Sequence, residues 1–167
     1  GARTINESML RHLDLIKESG LQFIWQTGKY YSAEIAERLK GQELPNLKVT
    51  DFITDMGSAY RAADLVISRA GASSISEFCL IGKPVILVPS PNVAEDHQTK
   101  NALALSTRGA AIYIKDADAP DILLQTAIET VNDAGQLKSL SENVLKLALP
   151  DSANIIAKEV INLANGI

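Results

Sequence analysis

The segment Asp64-Leu65-Val66-Ile67-Ser68-Arg69-Ala70-Gly71-Ala72-Ser73-Ser74-Ile75-Ser76-Glu77 constrains the fold more than any other part of the chain. Its apolar, β-branched run reads as a short buried strand, Gly71 as a tight turn, and residues 74–81 as a helix ended by Gly82. Backbone N–H groups gather at a helix start and attract anions, phosphates above all. A carboxylate one turn into that helix, Glu77, can accept hydrogen bonds from a vicinal diol such as a ribose. Phosphate plus ribose points to a nucleotide-type ligand.

The same alternation runs along the whole chain. Met9, Leu10, Leu13 and Ile16 recur at helical spacing, so residues 6–19 are predicted helical up to Gly20. Strands are predicted at 21–26, 47–52, 65–68, 84–88 and 111–114. Helices are predicted at 31–40, 56–63, 74–81, 97–107, 120–132, 137–147 and 152–164, the last with Asp151 as N-cap. Strands alternating with helices give an α/β parallel sheet with helices on both faces. Ligands of such sheets bind at the carboxyl ends of the strands. Four junctions therefore collect on one edge: residues 26–29, 52–55, 68–77 and 89–98.

Composition removes several classes of function. A chain of 167 residues with 46% hydrophobic and 22% charged residues suits one soluble globular domain, residues 1–167. The net charge of −4, without a Lys/Arg cluster, speaks against nucleic acid as partner. The single cysteine, Cys79, allows no intrachain disulfide and no Cys-based metal site, and fits a reducing compartment. Only two histidines are present, neither with a carboxylate pair at helical spacing, so no metal site is expected. No apolar run reaches membrane-spanning length and no signal peptide opens the chain. The opening without Met is what an excised fragment would show.

The candidate binding residues carry competing readings. Gly71 lets a backbone approach a ligand, while Ala72, Ser73 and Ser74 add N–H donors and little bulk. Yet Ser74-Ile75-Ser76-Glu77 is also a capping box, in which Glu77 at the third helical position only completes the helix start. His97 and Gln98 can hydrogen-bond sugar hydroxyls. Equally, Asp96 is an N-cap with His97 and Gln98 solvated in the first turn. Thr27-Gly28-Lys29 lacks the upstream glycine of a phosphate-binding P-loop. Arg3 is either near a phosphate, at the tail of a Gly-rich turn, or part of a frayed terminus.

Taken together, Gly1-Ala2-Arg3-Thr4-Ile5-Asn6, Gln26-Thr27-Gly28-Lys29, Phe52-Ile53-Thr54-Asp55-Met56, Ala59-Tyr60, Ala63-Asp64, Ser68-Arg69-Ala70-Gly71-Ala72, Ser76-Glu77, Gly82-Lys83-Pro84 and Glu95-Asp96-His97-Gln98-Thr99-Lys100-Asn101-Ala102 resemble a known family. It is the N-acetylglucosaminyltransferases of peptidoglycan synthesis, which form lipid II from lipid I. The resemblance is to the C-terminal, donor-binding half and covers nearly the whole chain. It implies one half of a GT-B fold, a Rossmann-like parallel sheet, with the acceptor-binding domain absent. It implies UDP-N-acetylglucosamine as donor, and lipid I and the cytoplasmic face of the bacterial inner membrane as partners through the missing domain. It also implies an inverting transfer with no metal or other cofactor, and a general base in that missing domain.

Carried over residue by residue, Glu77 matches the carboxylate holding the ribose hydroxyls. Ile53 matches the residue whose backbone reads the uracil edge, with Met56 beside it. Arg69, Gly71, Ala72, Ser73 and Ser74 match the turn around the diphosphate and uridine, and Thr27 a hydroxyl near the donor. His97 and Gln98 match a polar pair on the sugar, often two glutamines. Arg3 matches an arginine of the Gly-rich loop. Alternatives from other classes are another UDP-sugar enzyme on the same scaffold, epimerase or transferase, and a non-catalytic sugar-nucleotide-binding module.

Overall fold

The computed structural model describes residues 2–92 and 96–165. Gly1, in the stretch read as the tail of a Gly-rich turn, and residues 93–95 of the loop expected at 89–95 lie outside the described residues. The elements run α1 (Arg3–Arg11), α2 (Leu13–Glu18), β1 (Phe23–Gln26), α3 (Ser32–Arg38), β2 (Leu47–Thr50), α4 (Met56–Ala62), β3 (Val66–Ser68), α5 (Ala72–Ile81), β4 (Val85–Leu87), α6 (His97–Ser106), β5 (Ile112–Tyr113), α7 (Ala119–Asn132), α8 (Ala134–Leu145) and α9 (Ser152–Ala164).

Every strand pairing is parallel, as strands separated by helices require. The strands form two ladders, β1–β2 and β3–β4–β5, rather than one hydrogen-bonded sheet. Side-chain packing joins them. Period-two alternation sorts the β4 run onto two faces. Ile86 and Val88 join Trp25, Ile16, Ile35, Ile114, Leu123 and Leu124 in one core. Val85 and Leu87 join Phe78, Cys79, Ala102, Leu105, Ala111 and Val144 in the other. All four residues from Val85 to Val88 are fully buried, which is why this stretch reads as unbroken hydrophobic sequence. Each such side chain contributes about 1.5–3 kcal/mol on leaving water.

The predicted helix 6–19 is two helices. At His12 the backbone leaves the helical region (φ −121°, ψ 36°), and the imidazole Nε2 lies 2.9 Å from the Pro120 carbonyl of α7. Arg3 belongs to α1 and pairs with Glu7 at 3.4 Å, so it is not a frayed end. Helix α8 begins three residues ahead of its expected start because Asp133 accepts from the Gln136 N–H (2.9 Å) and caps it. Asp151 precedes α9 as expected but takes the Asn154 side chain (2.6 Å) rather than a backbone N–H.

The first turns of α1 bring the carboxyl ends of both ladders together. Asn6 is buried: its Nδ2 donates to the Thr27 carbonyl after β1, and its Oδ1 accepts from the Trp25 indole, both at 2.9 Å. Two residues earlier, the Thr4 hydroxyl donates to Asp116 after β5 (3.0 Å). The expected edge therefore exists, with α1 as its tie.

Candidate functional site

Helix α5 starts two residues earlier than its sequence suggests, and this decides the reading of Glu77. Gly71 is the N-cap, in extended conformation and with no side-chain capping bond. Ala72, Ser73 and Ser74 are then the first three helical residues, and Glu77 is the sixth. The capping-box alternative is thereby excluded, because Glu77 lies a turn too far along. The first-turn N–H groups of a helix have no intrahelical partner, and among the described residues no side-chain oxygen caps them. Ala72 and Ser73 are exposed and Gly71 and Ser74 half-buried. At φ −70° Gly71 is not glycine for conformational reasons. A Cβ built there would meet nothing within 4 Å, so its absence leaves open space directly over the helix start.

The turn leading into α5 is held from α6. The Gln98 side-chain oxygen accepts from the Ala70 N–H (3.3 Å) and the Ser90 N–H (2.9 Å). Asn101 Nδ2 donates to the Ala70 carbonyl (3.1 Å). Both polar groups of the buried Ala70 are thus satisfied by one helix. Gln98 is therefore not solvated in a free first turn. Asp96 takes a left-handed conformation (φ 54°) and makes no capping bond, so the plain N-cap reading of this loop fails. His97, the first residue of α6, is exposed.

The Arg69 guanidinium is directed into the protein. Nη1 pairs with Asp116 and donates to the carbonyls of Val88 (3.0 Å) and Pro89 (3.1 Å), while Nη2 reaches the Thr4 hydroxyl (3.5 Å). Arg69 and Asp116 are only 23% and 21% exposed, so the pair binds the ends of β3, β4 and β5 to α1 in a partly dry setting. Thr27 is likewise committed. It is fully buried, and its hydroxyl donates to the Thr50 carbonyl (3.3 Å) across the β1–β2 ladder. Arg3 stands 74% exposed on α1 with Glu7 as partner.

The loop after β2 leads into α4, which meets α5 through Tyr60 and Glu77. The Ile53 N–H donates to the Gln26 side-chain oxygen (3.0 Å), which fixes the Ile53 peptide. Asp55 caps α4 through the Ser58 N–H (2.9 Å). Ser58's side chain and backbone N–H hold the Asp55 carboxyl below the usual carboxylate range. Met56, half-buried, opens α4. One turn on, Tyr60 donates its phenolic hydrogen to Glu77 Oε2 (2.9 Å). Its ring packs edge-on against buried Phe78, centroids 5.7 Å apart. Desolvation first, and Glu77 second, push the Tyr60 hydroxyl up to about 12, so it remains a hydrogen-bond donor at physiological pH.

The sequence assigns roles to Glu77, Ile53 and the α5 turn, whereas Gln26, Tyr60 and Asn101, which orient them, stand in its motifs without a role, and Asp116 in none. None of their contacts carries a local signal, because the partners lie 17 to 47 residues apart. Beside the edge, a cleft of about 390 Å³ is lined by Pro89, Pro91, Asp96, Thr99, Tyr113 and Lys115 among others. The α5 start itself is an open wall. Among the described residues no cluster of three or more His, Cys, Asp or Glu could hold a metal ion, and no helix is long and apolar enough to cross a membrane. Cys79 is buried, and burial pushes its thiol up, away from reactivity.

Comparison with known proteins bears on this geometry. Residues 1–156 match the model of the glycosyltransferase family 28 C-terminal domain. Proteins from Bacteroides fragilis and Phocaeicola vulgatus, each named UDP-N-acetylglucosamine–N-acetylmuramyl-(pentapeptide) pyrophosphoryl-undecaprenol N-acetylglucosamine transferase, are 65% and 66% identical over 166 residues. The alignments cover 98% and 99% of this chain and 44% of either relative. The crystal structure of Acinetobacter baumannii MurG superposes with a TM-score of 0.77 at 28% identity, over 100% of this chain and 47% of that one. The chain thus spans less than half the length of the relatives it matches. With its parallel α/β architecture, it belongs to glycosyltransferase family 28, as that family's C-terminal domain.

Proposed function

We propose that the chain is the donor-binding part of an inverting transferase that moves N-acetylglucosamine from UDP-N-acetylglucosamine to lipid I, forming lipid II. The carrying observation is the open start of α5, uncapped among the described residues, with the Glu77 carboxylate on the next turn and the Ile53 peptide fixed in the loop before α4, whose Tyr60 reaches Glu77. The names of the relatives support the same substrates.

In this reading the diphosphate sits on the N–H groups of residues 72–74, where helix dipole and bare backbone favour an anion. Glu77 accepts from the ribose hydroxyls, and the Ile53 backbone meets the uracil edge beside Met56. His97 and Gln98 face the sugar. Gln98, whose oxygen is committed to the Ala70 and Ser90 N–H groups, offers its amide NH2. Arg69 and Thr27 serve the site by holding its walls. The acceptor hydroxyl attacks the anomeric carbon from the face opposite the diphosphate. The glycosidic C–O bond to phosphate breaks and UDP departs with the electron pair. The α5 N–H groups are preorganised for the charge that develops on the departing diphosphate, so no metal ion is required. The base that takes the acceptor proton, the lipid I site and the contact with the cytoplasmic membrane face belong to the remainder of a longer protein.

The test is a product assay on the full-length protein. With UDP-N-acetylglucosamine and lipid I it should form lipid II, and Glu77→Ala should weaken donor binding by about 1–3 kcal/mol, the range for lost charge-assisted hydrogen bonds. The isolated chain should form none, since positioning the acceptor is worth about 7–11 kcal/mol of the barrier. A product from UDP-N-acetylglucosamine without acceptor would identify an epimerase instead. Unchanged donor affinity in Glu77→Ala would remove the ribose role.

A further inference from the structure

We infer that Tyr60 is a positioning residue for Glu77, fixing the carboxylate for recognition of a vicinal diol; the inference rests on the donor-site reading above. Three observations carry it. The Tyr60 hydroxyl donates to Glu77 Oε2 at 2.9 Å, although Glu77 is an exposed side chain that would otherwise sample many rotamers. The Tyr60 ring is itself anchored, edge-on against Phe78, which is 1% exposed. And Tyr60 lies one turn beyond Met56 on α4, so this bond ties the helix opened by the base-side loop to the helix that carries the phosphate-side turn.

A carboxylate has two oxygens and about four lone-pair directions. Tyr60 occupies one of them and leaves Oε1 for two hydroxyls of a ribose. Holding the carboxylate before the ligand arrives removes part of the side-chain ordering cost of binding. Tyr60 acts only through Glu77, so its contribution must vanish when the diol or the carboxylate is removed.

That dependence is the test. UDP and 2′,3′-dideoxy-UDP are titrated by calorimetry into the chain and into Tyr60→Phe, Glu77→Ala and the double variant. Phenylalanine keeps the ring against Phe78. Tyr60→Phe should weaken UDP about 2- to 12-fold, the equivalent of one hydrogen bond. It should leave 2′,3′-dideoxy-UDP unchanged and add nothing in the Glu77→Ala background. Equal weakening toward both nucleotides would overturn the inference, because Tyr60 would then only shape the site. So would tighter UDP binding, which would make Tyr60 a competitor for the carboxylate. Loss in Glu77→Ala with none in Tyr60→Phe would overturn the Tyr60 role and spare the ribose role of Glu77. No loss in Glu77→Ala would overturn both.

Discussion

Arg69 shows how one side chain can tie several chain segments together. Its guanidinium bridges Asp116, two carbonyls after β4 and the Thr4 hydroxyl, and a planar fork with five donors suits that task where an ammonium would not. Arg69→Met should lower the unfolding free energy by about 2–3 kcal/mol, as removal of hydrogen bonds to a charged group does, measured by denaturant titration. An unchanged midpoint would mean that the cluster adds no stability. At this scale the sequence was only partly legible. Glu77 could be placed on the phosphate-side helix from the residues around it. The acid that takes Arg69, however, lies 47 residues further along, and the tyrosine that holds Glu77 lies 17 residues back across β3.

Elements were legible where periodicity and punctuation agree. The run from Val85 to Val88 is a strand buried on both faces, and left-handed Gly82 (φ 62°) closes α5, with the Lys83 N–H returning to the Phe78 carbonyl (3.0 Å). Gly82→Ala should cost about 1–2 kcal/mol of stability through its backbone alone. The added Cβ would meet Ser141 and Leu145 at ordinary contact distances of 3.5 and 3.6 Å, so strain rather than collision decides the sign. Thermal unfolding measures it, and an unchanged midpoint would contradict the cap. Boundaries were less legible. Ser74 and Glu77 imitate a capping box, whereas the actual α5 start rests on Gly71, whose ordinary φ and missing side-chain cap leave no signature. The break at His12 was hidden for a related reason, since the apolar spacing continues through it while the ring is drawn to α7.

On the scale of the whole molecule, the strand ends, α1 and α5 form a wall rather than an enclosed pocket. Helix α9 fits that picture, because its apolar residues Ile155, Ile156, Val160 and Leu163 stand 54–77% exposed and no described residue covers them. A wall of this kind can hold a nucleotide by its backbone and still leave the sugar open to a second reactant. Its central element is the bare start of α5, and the most direct measurement is a calorimetric titration of UDP-N-acetylglucosamine into the chain and its Ala72→Trp variant. Ala72 is exposed at the first helical position, so an indole there would cover the N–H groups without entering either core. The expected result is binding by the original chain and a loss of at least about tenfold in the variant, with far-ultraviolet circular dichroism unchanged. Equal affinity in the two, or no binding by the original chain, would contradict the placement of the diphosphate on α5.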